Sequence, residues 1–213
     1  MTKTRNYKQM KTSVNGKKLG RNFYSKELLV VANQILGKIF VKKNGRKILS
    51  GRIVEVEAYD GTIDRAAHTY IGQTKRNKIM FNEGGYLYVY LSYGVNYCCN
   101  IVTGKEGNGT AVLIRALEPV DGIDDMIKNR FGGKLPDEKE IFNLTNGPGK
   151  VCKSFGINLK HSGIDLMGDK SYVIDLPLRK NEEVGVSRRI GISKSVELPW
   201  RFFIKDNPYI SRK

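Results

Sequence analysis

The chain contains 213 residues and carries a formal net charge of +16 at pH 7, with a sequence pI near 9.7. This length is enough for one domain with a sizeable core, and the charge favours nucleic acid first and an anionic membrane surface second as partners. The sequence has no run of about 18 apolar residues that could span a membrane, and its basic N-terminus lacks the apolar stretch of a secretory signal.

Apolar periodicity and turn residues predict a series of elements along the chain. In chain order these are a disordered basic arm over 1–20, a helix over 26–36 capped by Ser25, strands over 38–42 and 47–59, a short helix over 65–68, strands over 86–91, 97–102 and 111–117, helices over 120–130 and 150–155, and strands over 171–174 and 200–205. No repeat or linker divides the chain. We therefore expect residues 21–213 to form one α+β domain on a curved, mainly antiparallel β-sheet with flanking helices and a protruding β-hairpin.

The strand that ends at Tyr59 has two distinct faces when read with a period of two. One face carries Val54, Val56 and Ala58, and the other carries Ile53, Glu55, Glu57 and Tyr59. Taken alone, Glu-Val-Glu is more typical of a solvated edge strand. However, Arg115 lies in an otherwise apolar strand, and a buried arginine nearly always has a carboxylate partner. Glu57 is a candidate for that partner.

A segment rich in tyrosine, residues 86–97, indicates an aromatic surface for a flat ligand. Tyr93 precedes a glycine between two predicted strands, so its ring either folds back on the sheet or projects as a wedge into a base stack. Tyr59, His68 and Tyr90 could form the walls of a slot for a single base. An isolated histidine is more often a hydrogen-bonded structural residue.

Several separate motifs resemble the alkyladenine DNA glycosylases, the 3-methyladenine DNA glycosylase family of the mammalian type. In order they are Arg52–Tyr59, Ala67-His68, Thr74–Asn77, Met80-Phe81, Tyr88–Gly94, Asn100-Ile101, Leu113–Pro119, Gly147–Lys150 and Pro199–Phe202. The resemblance runs from Phe23 to Ser211. It departs from the family pattern at residues 68–72, where a glycine-richer loop is expected, and at residues 95–96, beside the wedge.

The resemblance implies a monofunctional DNA glycosylase of base-excision repair. Such an enzyme flips an alkylated or deaminated purine, of the 3-methyladenine, 7-methylguanine or hypoxanthine type, out of damaged double-stranded DNA and hydrolyses its N-glycosidic bond without a metal or organic cofactor. By position, Glu57 matches the general base that activates water and Arg115 the residue that holds that water and carboxylate. Tyr59, Ala67, His68 and Tyr90 match residues of the base pocket. Asn100 matches the floor of that pocket, which crowds the amine of normal guanine. Tyr93 matches the intercalating wedge.

The chemistry agrees with these residue types, because one carboxylate is sufficient when the leaving base is already a cationic purine. The lysines lie mostly in polar or turn segments, so no desolvated lysine is indicated for a Schiff-base lyase. We expect a monomer that does not bind membranes. Three cysteines without a Cys-x-x-Cys pair predict neither a disulfide framework nor a structural zinc site. They favour a reduced compartment, the cytoplasm near the nucleoid in a bacterium or the nucleus in a eukaryote.

Two other hypotheses remain open at the level of sequence. Glu55, Glu57, Asp60 and Asp64 could bind metal ions in a nuclease, because clustered carboxylates on a basic protein also suit two-metal phosphodiester cleavage. Alternatively, the protein could be a non-catalytic RNA- or DNA-binding module whose tyrosines only stack on bases.

Overall fold

An antiparallel sheet forms the frame of the protein in the computed structural model, which describes residues 16–212. Its strands are β1 (Ile39–Asn44), β2 (Lys47–Asp60), β3 (Leu87–Ser92), β4 (Asn96–Thr103), β5 (Thr110–Asp121), β6 (Ser171–Ile174), β7 (Val184–Ser187) and β8 (Arg201–Ile204). The main order is β3-β4-β5-β2-β1-β6, and β8 pairs with both β2 and β7. The sheet curls into a half-barrel within a single domain, which confirms the predicted α+β class.

Short helices flank this sheet. They are α1 (Arg21–Tyr24), α2 (Leu28–Gln34), α3 (Ile123–Phe131), α4 (Glu138–Phe142) and α5 (Pro148–Phe155), with 3₁₀ turns at Lys78–Phe81 and Leu159–His161. The predicted cap at Ser25 is wrong, because Glu27 is the N-cap of α2 and Ser25 ends α1, where its hydroxyl donates to Arg21 O. Among the helices of residues 16–212, none is both long and apolar enough to cross a bilayer.

The main core lies between one face of the sheet and helices α2, α3 and α5. Val54, Val56 and Ala58 are fully buried in it, as the alternation along β2 predicts. Ile53 was assigned to the opposite face but also belongs to this core, because register shifts between Ile53 and Val56 interrupt the alternation. At Gly51 a Cβ would lie 2.9 Å from Leu117 Cβ, so glycine permits the close packing of β2 on β5.

The predicted boundary of the basic arm at residue 20 lies too far along the chain. Leu19 is buried, and its N–H donates to Val173 O over 2.9 Å at the edge of β6. Lys18 forms a bridge with Ile174 and an ion pair with Asp169. The fold therefore includes residues 16–20, and the prediction for residues 1–15 lies outside the described residues.

The β3–β4 hairpin carries Tyr93 at its tip, in the position that the sequence predicts. Val95 N–H donates to Ser92 O over 3.0 Å and closes the turn. Both central residues have positive φ, 48° at Tyr93 and 71° at Gly94, which is the geometry of a tight type I′ hairpin turn. Asparagine, aspartate and glycine are the residues usually found there, so a bulky tyrosine in this conformation is strained.

Candidate active site

A cleft of ≈ 650 Å³ opens on the side of β2 away from the main core. This volume is within the usual range for small-molecule sites. Its lining comes from strands β2 and β5, residues 66–76, the β3–β4 hairpin, Pro148 at the start of α5 and residues 190–192. Its principal side chains are Tyr59, His68, Tyr90, Tyr93 and Arg115, together with Ile190.

Glu57 lies behind this lining with no exposed surface. Its Oε1 accepts a hydrogen bond from Ile190 N–H over 2.7 Å. Its Oε2 accepts from Tyr59 Oη over 2.8 Å and from Arg115 Nη1 over 3.2 Å. The predicted pairing of Glu57 with Arg115 is therefore confirmed. The solvated-edge interpretation is wrong, because β2 is a central strand and both of its glutamates are buried.

Glu55, the other glutamate on this face, has its own set of donors and shares one arginine with Glu57. Its Oε1 accepts from Arg115 Nε over 3.2 Å, from Arg201 Nε over 2.7 Å and from Ser211 Oγ over 2.7 Å, and its Oε2 accepts from Ser211 N–H. Arg115 thus bridges Glu55 and Glu57. Burial acts to lower the pKa of Arg115, but the two carboxylates outweigh it and the net pKa is raised.

An aromatic cluster forms the inner wall of the cleft. The rings of His68 and Tyr90 meet edge to face with centroids 4.4 Å apart, and Tyr88 stacks on Tyr90 at 5.6 Å. His68 Nδ1 also lies 3.1 Å from the hydroxyl of Tyr88. Partial burial, and then the charge of Arg76, lower the pKa of His68, so its imidazole is neutral at pH 7. The aromatic walls that the sequence predicts are therefore adjacent in space.

The family model for methylpurine-DNA glycosylase (MPG) matches residues 22–208. The chain belongs to this family. Proteins named "Putative 3-methyladenine DNA glycosylase" from Alkaliphilus oremlandii and Clostridium novyi are 48% and 47% identical to it, over 92% of this chain and 100% of each relative. One of the same name from Chlorobaculum tepidum is 44% identical, over 92% of this chain and 91% of the relative.

Family membership makes the protein a DNA glycosylase, a hydrolase of DNA repair whose substrate is DNA. The earlier resemblance to the alkyladenine DNA glycosylases is confirmed at this level. All residues of the cleft lining lie within the part of the chain that the family model matches.

Of two further residues predicted for the pocket of this DNA glycosylase, Asn100 lines a cavity and Ala67 does not. Asn100 is buried, donates from Nδ2 to Tyr88 O over 3.3 Å, and lines a small inner cavity with Tyr59, His68 and Tyr90. Ala67 is buried, but the neighbouring Ala66 is the alanine that lines both the cleft and the inner cavity. The assignment of Ala67 to the pocket wall is therefore displaced by one residue.

The segment before β8 supplies site residues that the sequence analysis missed. Ile190 contributes a backbone N–H to Glu57, and its carbonyl accepts from Arg115 Nη1 over 3.4 Å. Arg189 lies with its guanidinium 4.6 Å from the ring centroid of Tyr59. A backbone donor leaves no signature in the side-chain pattern, and Arg189 stands in polar sequence where a buried arginine is not expected. Neither residue is marked in the sequence as Arg115 is, which interrupts an otherwise apolar strand.

The loop that carries His68 is held by a third residue without a predicted role, Asn77. Its Nδ2 donates to His68 O over 2.8 Å and to Gly72 O over 2.9 Å, while its Oδ1 accepts from Thr74 N–H over 2.6 Å. The predicted helix over 65–68 is wrong. Residues 65–71 form successive turns instead, in which Ala67 N–H donates to Asp64 O over 2.9 Å and Tyr70 N–H donates to Ala67 O over 3.2 Å.

The carboxylates considered for a nuclease have other partners. Asp64 is paired with Arg189, and Asp60 Oδ1 accepts from the N–H and hydroxyl of Thr62. Glu55 is occupied by the donors described above. Within residues 16–212, no group of three or more His, Cys, Asp or Glu side chains is arranged as a metal site.

Proposed function

We propose that this DNA glycosylase excises alkylated or deaminated purines from damaged double-stranded DNA by rotating the base into the cleft and hydrolysing its N-glycosidic bond with a water activated by Glu57. The substrates are of the 3-methyladenine, 7-methylguanine and hypoxanthine type. The observation that carries the proposal is the Glu57 carboxylate, held by three donors immediately behind the aromatic cleft. All of these groups come from one chain, so a monomer suffices for the reaction.

The hydrogen bonding of Glu57 leaves one acceptor position for a water. An ionised carboxylate offers about four acceptor positions, and Ile190, Tyr59 and Arg115 use three of them among the described residues. The remaining position accepts the water from the side of the cleft. The water oxygen bonds to C1′ as the bond from C1′ to the base breaks, and Glu57 takes the water proton. The base leaves with the bonding electron pair, as a neutral molecule if it was a cationic alkylpurine and as an anion that takes a proton from water if it was hypoxanthine.

The carboxylate behind the cleft favours a cationic alkylpurine as the leaving group. The carboxylate of Glu57 stabilises the oxocarbenium-like sugar as the bond breaks. An alkylated purine leaves without needing an added proton, so one carboxylate performs the required proton transfer. Partial burial and Arg76 favour the neutral imidazole of His68, which then adds no positive charge beside the base, and the aromatic side chains of Tyr59 and Tyr90 also line the cleft.

Tyr93 is proposed as the wedge that fills the space vacated by the flipped base. Its side chain is 91% exposed at the tip of the hairpin and lies on the rim of the cleft. Its positive φ holds the ring out in solvent, in a conformation that a tyrosine adopts at a cost in backbone strain. Base–aromatic stacking in the duplex offsets that cost.

Glu57→Gln tests the proposal. It should lower single-turnover base release by at least ~10²–10⁴-fold while binding to lesion DNA persists, because the amide keeps the shape but not the basicity. Glu55→Gln is the matched comparison, since it should lower the melting temperature yet retain base release. An active Glu57→Gln enzyme would contradict the proposal. Strand breaks without base release that disappear in chelator would support the nuclease instead.

A further inference from the structure

The most completely buried ion pair near the cleft is formed by Asp64 and Arg189, whose side chains both have no exposed surface. Arg189 Nη1 and Nη2 donate to the two oxygens of Asp64 over 2.5 and 2.8 Å. In a protein with a net charge of +16, arginines next to the DNA-binding cleft commonly contact phosphates. Arg189 is inaccessible to a phosphate, so its role lies inside the protein.

One part of that role concerns strand β2. Arg189 Nη1 also donates to Ala58 O over 2.9 Å, at the residue between Glu57 and Tyr59. The guanidinium lies 4.6 Å from the ring centroid of Tyr59, within range of a cation–π contact. The arginine therefore restrains both the backbone and one aromatic wall at the end of β2.

The same ion pair reaches two further segments of the cleft lining. Asp64 Oδ1 accepts the N–H of Ala66 over 2.9 Å, at the start of the loop that leads to His68. Arg189 is followed by Ile190, the residue whose N–H donates to Glu57. A single buried pair thus joins β2, the loop before His68 and the segment before β8.

We propose that the Asp64–Arg189 pair is a positioning device for base excision, and that Arg189 acts through Tyr59 and Ile190 to hold Glu57 in its reactive orientation. This inference rests on the proposed role of Glu57. Catalytic groups require placement within fractions of an ångström, and a shift of about 1 Å costs on the order of 10²-fold in rate. Arg189 is buried and is not among the cleft-lining residues, so it is a positioning residue.

Replacing both partners separates positioning from stability. Arg189→Met alone leaves an unpaired buried carboxylate, which destabilises a fold in any case. The double variant Asp64→Leu with Arg189→Met removes both charges at similar volume, an exchange that is often neutral for stability. We expect the double variant to recover the melting temperature lost by Arg189→Met. Its single-turnover rate should remain at least ~10-fold below wild type, because the bonds to Ala58 and Ala66 are absent.

Arg189→Lys is the milder variant. It keeps a positive charge for Asp64 but loses the planar fork that reaches Ala58 O at the same time. Its melting temperature should be close to that of wild type, whereas its single-turnover rate of base excision should be lower. For both variants, the affinity for duplex DNA with an abasic-site analogue should change by no more than about twofold, because that affinity depends mainly on phosphate contacts.

The Arg52–Glu182 pair provides the matched control. Arg52 is also buried on β2 and bonds Glu182 through both terminal nitrogens, over 2.6 and 2.5 Å, but it is not among the cleft-lining residues. Arg52→Met with Glu182→Leu should leave the single-turnover rate unchanged. A wild-type rate in the Asp64–Arg189 double variant or in Arg189→Lys overturns the inference. If Glu57→Gln is itself active in the same assay, the proposed function fails first.

Discussion

Tyr59 and Glu57 lie two residues apart on β2 and share a hydrogen bond of 2.8 Å from Tyr59 Oη to Glu57 Oε2. The period of two along a strand places both side chains on one face, so a wall of the pocket is joined directly to the candidate base. Burial, and then the charge of Glu57, raise the pKa of Tyr59 well above its usual value. The hydroxyl therefore remains a donor throughout the neutral and mildly alkaline range.

Tyr59→Phe should separate these two roles, because it retains the ring and removes the donor. Hydrogen bonds to charged groups contribute about 1.5–3 kcal/mol, which corresponds to a loss of roughly 10-fold or more in single-turnover excision. Binding of lesion DNA should be little affected, whereas Tyr59→Leu should weaken both. Equal single-turnover rates for wild type and Tyr59→Phe would show that the hydroxyl does not orient Glu57.

The pairing of Glu57 with Arg115 could be predicted from the sequence because the arginine interrupts an apolar strand. The strand predicted over 171–174 has the observed bounds of β6, because a short apolar run between polar residues is typical of a strand. The hairpin that carries Tyr93 followed from Gly94 between two alternating segments. In each case the local sequence pattern and the tertiary environment favour the same structure.

The remaining errors come from interactions between residues distant in sequence. Arg189 is paired with a residue 125 positions earlier, and nothing beside it in the sequence indicates burial. The role of Ile190 resides in its backbone, which any residue except proline supplies. Ala66, and not Ala67, lines the pocket, in a segment where bonds between residues three apart form turns in place of the predicted helix. Such features depend on tertiary packing, which overrides local propensity.

His68 predicts a pH dependence of stability. Partial burial and Arg76 lower its pKa from the usual value of 6.5, so the unfolded chain binds this proton more readily than the folded chain does. Stability should therefore fall as the pH drops below about 6.5 and level off below the folded-state pKa. The difference in melting temperature between wild type and His68→Gln should be constant near pH 8 and should shift against wild type as the pH falls below about 6.5. His161 is present in both proteins and cancels. Parallel curves would contradict the prediction.

The basic N-terminus predicts an electrostatic contribution to DNA affinity. Residues 1–15 include Lys3, Arg5, Lys8 and Lys11. Deleting residues 1–15 should weaken binding at low salt and reduce the slope of log K against log salt by up to about 3–4, while sparing single-turnover excision at saturating enzyme. Deleting residues 1–20 is the comparison. It also removes the buried Leu19 and should lower the melting temperature. A lost single-turnover rate on the shorter deletion would place residues 1–15 in the catalytic structure.

The position of Asn100 predicts that this residue limits the excision of guanine. It is buried in the inner cavity beside Tyr90, where its amide is fixed by Tyr88 O. Asn100→Ser shortens the side chain and should make room for the exocyclic amine of guanine, because steric clash discriminates more strongly than a missing apolar contact. Excision of guanine-derived and undamaged guanine bases should rise relative to hypoxanthine. An unchanged ratio in competition between the two substrates would remove Asn100 from that role.

Tyr93 allows stability and function to be tested at one position. Glycine adopts positive φ without steric cost, so Tyr93→Gly should not lower the melting temperature. It should nevertheless slow excision of a well-paired lesion, because the flipped-out base leaves a gap in the stack that glycine cannot fill. The aromatic contribution is about 1–3 kcal/mol per stacked base. A destabilised Tyr93→Gly protein would indicate that the ring packs on the sheet, contrary to its 91% exposure.

The wedge role of Tyr93 further predicts how the loss depends on the substrate. Flipping a paired base costs a few kcal/mol, and less when the base is mismatched or bulged. Tyr93→Ala should therefore lose more single-turnover excision on hypoxanthine opposite thymine or cytosine than on hypoxanthine in a bulge. Tyr93→Phe should resemble wild type on all of these duplexes, because stacking requires the ring and not the hydroxyl. If Tyr93→Phe is as impaired as Tyr93→Ala, the hydroxyl carries the effect, and Tyr93 contributes a polar contact instead of a wedge.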